Sequence, residues 1–197
     1  GQPGRVAHVG DWQPAGGKGR RKPVSADVIA RHVAGLCTIG VYPLRPDGTC
    51  ASISVDFDNH RGGRILDVDP RFDYEALSFT MLRRGVRFLG NVSRGGRGYW
   101  VHLLPPDSAN AAPARTILHG LLAEAGVRHT TAGATVDALC PKQDEPASTH
   151  GDDATANPGN LFCLPCNRQW MEADHPGSHF VGTAPTLAQQ RSYLEDT

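Results

Sequence analysis

The segment SISVDFDNH (residues 52–60) contains two aspartates separated by a single residue. Side chains alternate between the two faces of a strand, so Asp56 and Asp58 would share one face with two serines. The opposite face would be apolar, with Ile53, Val55 and Phe57. The strand rise places the two carboxylates about 6–7 Å apart. Binding of a divalent cation such as Mg²⁺, together with substrate phosphates, would offset their repulsion. A solvated strand end that leads into a turn explains the pair equally well.

A second chemical signal is the glycine-rich segment VSRGGRGYW (residues 92–100). Its glycines would let the backbone approach an anion closely, while Arg94 and Arg97 supply positive charge. No helical pattern follows, so the segment fits neither the dinucleotide fingerprint nor the Walker loop. A glycine-rich hairpin between two strands is the alternative interpretation. The strand after the glycines has Trp100 and His102 on one face.

A third carboxylate, Asp137, lies in TVDALCPKQDEP (residues 135–146), within another apolar-flanked strand. Three carboxylates at strand ends and a basic glycine loop are the groups that two-metal nucleotidyl or phosphoryl transfer requires. In that chemistry the protein contributes positioning and charge stabilisation.

Composition indicates an ordinary globular domain: 197 residues, 39% hydrophobic and 20% charged, with no apolar run long enough to span a bilayer. We therefore expect no membrane association. The five cysteines do not suggest a disulfide framework, which indicates a cytoplasmic protein. Net charge is zero, but residues 1–100 contain 15 Lys and Arg against 9 Asp and Glu. This basic half is either a phosphate-binding surface or ordinary solvated charge.

Local patterns predict an α+β fold of mixed helices and hairpins. Residues 1–22 are rich in glycine, proline and basic residues, which predicts a flexible basic arm before a core of residues 23–197. Helices are expected near 26–35, 73–85 and 111–125, with a short one after Thr186. Strands are expected near 38–44, 51–57, 88–93, 135–139 and 160–164, and around His102. The turn residues 45–48 predict a hairpin that joins the first two strands, and residues 144–158 predict a loop.

Five motifs occur in a recognisable order. They are TIGVYPL (38–44), the Asp56/Asp58 pair, SRGGRG (93–98), DALCPKQD (137–144) and GNLFCLP (159–165). In this order they resemble the core of the archaeo-eukaryotic primase superfamily, and most closely the branch found in TOTE conflict systems. The resemblance covers roughly residues 24–182. Each motif alone is weak evidence for this resemblance, whereas five motifs in the same order are specific evidence.

The resemblance implies an RNA-recognition-motif-like sheet with an N-terminal αβ module, and the activity of a DNA primase and polymerase that uses Mg²⁺ or Mn²⁺. It implies nucleoside triphosphates and a DNA or RNA template and primer as partners, with a helicase domain or subunit. The metal-binding catalytic carboxylates would be Asp56, Asp58 and Asp137. The nucleotide-binding residues would be Ser93, Arg94, Gly96, Arg97, Gly98, Trp100, His102 and Asn160.

One position departs from the family pattern: Trp100 stands where the family has a histidine that contacts nucleotide phosphates. His102 lies one pleat repeat further on the same strand face and would reach the same cleft. Alternatively, Trp100 fills the phosphate subsite and leaves a catalytically weakened module that binds nucleotides or nucleic acid. A metal-dependent nuclease that uses the same carboxylates is a further alternative.

A zinc site is a separate possibility, because the spacing of Cys163, Cys166, His175 and His179 resembles a tetrahedral zinc set. In the resemblance, however, both cysteines fall at apolar positions in or beside a buried strand. Buried free cysteines behave as small hydrophobic residues, so we favour packing over zinc.

Overall fold

The protein is described here by a computed structural model covering residues 5–8, 11–14, 24–45, 47–61, 64–65, 67–105, 107–129, 134–144, 161–174 and 176–196. Its helices are α1 (Ala26–Val33), α2 (Pro70–Arg83), α3 (Ala111–Glu124), α4 (Arg168–Met171) and α5 (Leu187–Asp196). The first begins as predicted, since the Ser25 hydroxyl accepts a hydrogen bond from the backbone N–H of Val28. The second begins earlier than predicted, because Asp69 caps it and Pro70 suits its first turn.

The strands in the described part of the chain fall into two larger sheets and two short pairs. They are β1 (Arg5–His8), β2 (Asp11–Pro14), β3 (Thr38–Val41), β4 (Thr49–Cys50), β5 (Ile53–Phe57), β6 (His60–Arg61), β7 (Arg64–Ile65), β8 (Leu89–Val92), β9 (Tyr99–Leu103), β10 (Ala109–Asn110), β11 (Val136–Cys140) and β12 (Phe162–Cys163). The central sheet has the order β11-β5-β9-β8, and the second sheet has the order β12-β3-β1-β2. Their neighbouring strands are antiparallel, and the predicted α+β class is confirmed.

The central sheet is covered on both faces, and the alternation along β5 determines what each face contacts. Ile53, Val55 and Phe57 belong to the main core, which also contains buried residues of α2 and α3. On the opposite face, Trp100 of β9 packs with Phe162 of β12 in a smaller apolar cluster. The polar side chains of β5 therefore lie on the face that is turned toward the second sheet.

The hairpin predicted between residues 38–44 and 51–57 is wrong, although its turn forms. The Gly48 N–H donates to the Arg45 carbonyl, and Leu44 makes a bridge with Cys50. Beyond this bridge the two longer strands separate into different sheets. β3 pairs with β1 and β12, whereas β5 pairs with β9 and β11. Each strand thereby satisfies the backbone groups on both its edges, which a lone hairpin would not do.

Two strands lie within the segment whose composition predicts a flexible arm. β1 and β2 pair with each other, and β1 also pairs with β3 through Val6 opposite Ile39. The N-terminal segment therefore extends the second sheet in the structure. The proposed boundary at residue 22 lies outside the described residues and stays a prediction, as does most of the loop predicted at 144–158.

A buried glutamine attaches the C-terminal helix to the rest of the fold. The Gln190 side-chain amide donates to the Thr183 hydroxyl at 2.6 Å and to the Ala184 carbonyl at 2.8 Å. Its carbonyl oxygen accepts from the Phe180 backbone N–H at 2.7 Å. The bridge between Phe180 and Asn91 then connects this segment to β8. Gln190 thus holds the chain segment that flanks the central sheet.

Replacing Gln190 should destabilise the protein, whereas replacing its exposed neighbour should not. Gln190→Ala removes three hydrogen bonds and leaves buried groups unpaired, so we expect a loss of about 2–3 kcal/mol in the free energy of unfolding. Gln189→Ala is the matched control and should change it by less than about 0.5 kcal/mol. Urea denaturation measures both variants. Equal losses for the two would contradict the role given to Gln190.

Candidate active site

The candidate active site is a pocket of about 350 Å³ at the end of β5. Asp56 and Asp58 line one part of it, and the hairpin between β8 and β9 lines another. Its described lining consists of Asp56, Asp58, Ser93, Arg94, Gly95, Arg97, Gly98, Trp100, Leu161 and Cys163. The two strongest sequence signals, the aspartate pair and the glycine-arginine segment, are therefore brought together in space. We call this the carboxylate pocket.

Asp56 is held in the middle of the central sheet, opposite Trp100 of β9 on one side and Ala138 of β11 on the other. Burial raises the pKa of the Asp56 carboxyl well above its usual value, and the negative charges of Asp58 and Asp137 raise it further. The positive charge of Lys142 acts in the opposite direction. An ionised Asp56 in this position is costly unless a cation offsets the accumulated negative charge.

Asp137 lies at an irregularity in β11. Val136 is paired with Phe57 and Ala138 with Asp56, so Asp137 is an extra residue in a β-bulge. Its side chain is exposed and lines a second pocket with Arg115, His119, His129 and Lys142. The three predicted carboxylates are thus near neighbours electrostatically, but only two of them line the carboxylate pocket. Within the described residues, no three His, Cys, Asp or Glu side chains form a ready-made metal cluster.

The glycine-arginine segment forms a tight hairpin between β8 and β9. The Ser93 N–H donates to the Gly98 carbonyl at 2.8 Å, and the Gly98 N–H donates to the Ser93 hydroxyl at 3.0 Å. At Gly98, a Cβ atom would lie 2.6 Å from the Phe57 carbonyl oxygen, so a side chain there would clash with the end of β5. The hairpin is therefore fixed close to the aspartates.

A segment far along the chain, at Gly177 and Ser178, packs against this hairpin. A Cβ atom on Gly177 would lie 2.3 Å from the Ser93 carbonyl oxygen and 2.5 Å from that of Arg94. The Ser178 N–H donates to the Val92 carbonyl at 3.0 Å, which joins the two segments. Gly177 must therefore lack a side chain for the hairpin to keep its place.

Trp170 contacts one of the arginines in the pocket. The Arg94 guanidinium lies 5.1 Å from the centre of the Trp170 ring, a cation–π arrangement. The indole N–H donates to the Thr38 hydroxyl at 2.9 Å, which fixes the ring against β3. The sequence does not predict this role for Trp170, because no local pattern connects residue 170 with Arg94.

Trp100 and His102 share one strand face as predicted, but they occupy different surroundings. Trp100 lines the carboxylate pocket, and its ring stacks on that of His102 with 5.7 Å between centroids. His102 is buried behind it. Its Nδ1 is 2.7 Å from the Ser54 hydroxyl and its Nε2 is 2.8 Å from the Asn91 carbonyl oxygen. Because the Asn91 amide nitrogen donates to the Val92 carbonyl, we assign the proton to Nε2 of His102.

Both ring nitrogens of His102 are therefore engaged within the protein. Burial lowers the pKa of the imidazole to about 4, so the ring is neutral at physiological pH. In this conformation His102 orients Ser54 and Asn91 and supports the Trp100 ring. Direct contact between His102 and a nucleotide stays a prediction.

The remaining predicted ligands are only partly described. Asn160 and His175 lie outside the described residues. Burial raises the pKa of the Cys163 thiol to about 12 and that of Cys166 to about 11, so both are protonated at neutral pH. Cys163 lines the carboxylate pocket, while Cys166 approaches the Gln190 side chain at 3.9 Å. Both cysteines are half-buried, and the zinc set itself stays a prediction.

The comparisons with known proteins identify the family. Residues 16–197 match the family model described as the archaeo-eukaryotic primase domain of the TOTE conflict system. The chain therefore belongs to this family, which confirms the resemblance stated from the motifs. No curated protein sequence matches the chain. Among the helices described, none has the length and apolar character needed to cross a membrane.

The buried state of His102 predicts a specific dependence of stability on pH. Its pKa is near 6.5 in the unfolded chain and about 4 in the folded protein. Between these values the unfolded chain binds the proton and the folded protein does not. Stability is therefore lost as pH falls, by about 2 kcal/mol between pH 6.5 and 4.5.

His102→Gln should remove this contribution, so urea denaturation at pH 7 and pH 4.5 should show a smaller loss in the variant than in the wild type. Asp56 titrates with the opposite sign, and it does so in both proteins, so the comparison isolates His102. Parallel stability profiles for the two proteins would contradict this protonation state.

Proposed function

We propose that this domain is a template-dependent nucleotidyltransferase, a DNA primase and polymerase that adds nucleotides to a 3′-hydroxyl. The observation that supports it best is the carboxylate pocket, in which Asp56 and Asp58 face a glycine-arginine hairpin. Membership of a primase family supports the same reaction class. A DNA or RNA template with its primer, nucleoside triphosphates and a helicase domain or subunit are the proposed partners.

The carboxylate pocket suits a hard divalent cation. Its acidic side chains are oxygen donors, and the negative charges of Asp58 and Asp137 add to burial in raising the pKa of Asp56. Asp56 and Asp58 would hold Mg²⁺ or Mn²⁺, and Asp137 would add its charge from the neighbouring bulge. When bound, the metal would supply charge neutralisation and lower the pKa of the attacking hydroxyl, as in two-metal nucleotidyl transfer.

The hairpin would hold the triphosphate of the incoming nucleotide. Arg94 and Arg97 line the same pocket as the aspartates, so phosphates placed between them would meet positive charge on one side. The primer hydroxyl would lose its proton to water, and its oxygen would bond to the α-phosphorus as the bond to the leaving pyrophosphate breaks. The arginines would stabilise the negative charge that the pyrophosphate gains. The buried Trp100 ring forms a rigid wall there and limits the entry of water.

A templated primer-extension assay tests this function. Asp56→Asn should reduce extension with Mg²⁺ or Mn²⁺ at least about 1,000-fold, because it removes a charged ligand at the reacting centre. Asp107→Asn, which changes an exposed aspartate, is the control and should extend primers normally. Nucleotide binding without extension in the wild type would instead support a silent binding module. Metal-dependent strand cleavage would support a nuclease.

The same substitution should change stability in the opposite direction when metal is absent. Asp56→Asn removes one of three neighbouring negative charges, so we expect the variant to be about 1–2 kcal/mol more stable in EDTA at pH 8. Mn²⁺ should raise the Tm of the wild type and have little effect on the variant. Thermal denaturation with and without Mn²⁺ measures this. A variant that is destabilised in EDTA would show that the carboxylates do not repel one another.

Trp170 should act as a positioning residue for Arg94. Trp170→Leu removes the ring under the guanidinium, and a cation–π contact of about 0.5–2 kcal/mol corresponds to about a 2- to 30-fold increase in KM for the nucleotide. Trp170→Phe keeps a ring and should recover most of this loss. Steady-state extension kinetics distinguish an effect on KM from one on kcat. Loss of kcat alone, equal in both variants, would indicate a general structural defect instead.

A further inference from the structure

A second pocket of about 240 Å³ lies beside the carboxylate pocket, and its lining is rich in groups that bind anions. Arg115 and His119 come from α3, His129 follows that helix, and Lys142 follows β11. Asp137, in the bulge of β11, also lines this pocket. We call this the β11 pocket. The sequence motifs account for Asp137 and leave the basic residues without a role.

The basic residues of the β11 pocket are held in place by the protein. Arg115 is mostly buried, forms an ion pair with Asp144 and donates to the Pro141 carbonyl at 3.5 Å. It therefore fixes the loop that carries Lys142. His119 and His129 hydrogen-bond to each other, Nδ1 to Nε2, at 2.9 Å. Burial lowers the pKa of His119, and the charges of His129 and Arg115 lower it further. Arg115 and Lys142 place two cationic side chains in the lining, and such side chains favour an anion.

The position of the β11 pocket connects it to the reacting centre. Asp137 and Ala138 of β11 both line it. Ala138 is also the strand partner of Asp56, which lines the carboxylate pocket. The two pockets therefore lie on neighbouring strands of the central sheet. A ligand that occupies both pockets would cross the edge of the central sheet at β11.

We propose that the β11 pocket binds a phosphate group of the substrate that supplies the attacking hydroxyl. This inference rests on the proposed nucleotidyl transfer, in which the incoming nucleotide occupies the carboxylate pocket and the hydroxyl must approach from outside it. The substrate is a phosphate ester, either a primer strand or an initiating nucleotide. A metal ion fits less well, because the two histidines are engaged with each other and Arg115 and Lys142 are cationic.

Lys142→Gln provides the test, because this exposed side chain is replaced without disturbing the core. Arg191→Gln is the matched control, since it removes one positive charge from an exposed position on α5. Binding of a fluorescein-labelled single-stranded oligonucleotide with a 3′-hydroxyl is followed by anisotropy over a range of salt concentrations. The experiment is made in the Asp56→Asn background without metal, so it needs no catalysis.

We expect Lys142→Gln to weaken oligonucleotide binding about 3- to 10-fold and to make the salt dependence shallower by about 0.7 in log–log slope, the value for one lost phosphate contact. Arg191→Gln should leave both unchanged. In the otherwise wild-type protein, primer-independent synthesis gives the second arm. A raised KM for the initiating nucleotide alone, with unchanged oligonucleotide binding, would assign the phosphate to that nucleotide and also support the pocket.

The inference is overturned if Lys142→Gln behaves like Arg191→Gln in oligonucleotide binding and also leaves the KM of the initiating nucleotide unchanged. That result is distinguishable from failure of the proposed function. A wild-type protein that never extends a primer would reject nucleotidyl transfer, while the anisotropy comparison would still report on phosphate binding at Lys142. The double variant Lys142→Gln/His119→Gln, checked for a normal Tm, should weaken binding further than Lys142→Gln alone.

Discussion

Strand β5 alternates between apolar and polar side chains, and other elements pack against both of its faces, so a buried polar side chain such as Ser54 must find its partners inside the protein. Ile53, Val55 and Phe57 contribute to the main core. On the other face, Ser54 hydrogen-bonds to His102, and His102 hydrogen-bonds in turn to Asn91. This chain of contacts crosses three strands of the central sheet and satisfies groups whose burial would otherwise be costly.

Asp56 lies next along the same face, and there the protein provides mainly more negative charge. Asp58 and Asp137 both raise its pKa, and Lys142 compensates only in part. The fold thus satisfies the hydrogen-bonding groups of Ser54, whereas it leaves an ionised Asp56 electrostatically unfavourable. An unfavourable local charge arrangement of this kind is typical of a binding site, because a bound ligand can offset the charge.

The sequence predicted the parts of this arrangement that depend on local patterns. The alternation in residues 52–58 placed the two aspartates on one face, and the glycines of residues 95–98 indicated the hairpin. It could not predict that Asp137 sits in a bulge, because strand register depends on the pairing of β11 with β5. Nor could it show that His102 would be enclosed by Ser54 and Asn91. That enclosure depends on the neighbouring strands and on the second sheet that covers this face.

The separation of β3 from β5 has a similar cause. The Gly48 N–H does donate to the Arg45 carbonyl, as a turn requires, but the partners of the flanking strands come from distant segments. Local turn preferences determine where the chain bends. Competition among strands for backbone hydrogen bonds determines which sheet each strand joins. Gly177 and Trp170 likewise pack against the hairpin, although nothing near residues 93–98 in the sequence predicts these contacts.

The close contact at Gly177 also bears on the order of events during synthesis. The β8–β9 hairpin is local and can form soon after its residues emerge, since short-range contacts form early in folding. The segment at Gly177 that packs against the hairpin, however, is synthesised much later. A nascent chain that ends before Gly177 would have the hairpin without its support. Competence to bind a ligand would then arise only late in translation, when the C-terminal segment docks against β8.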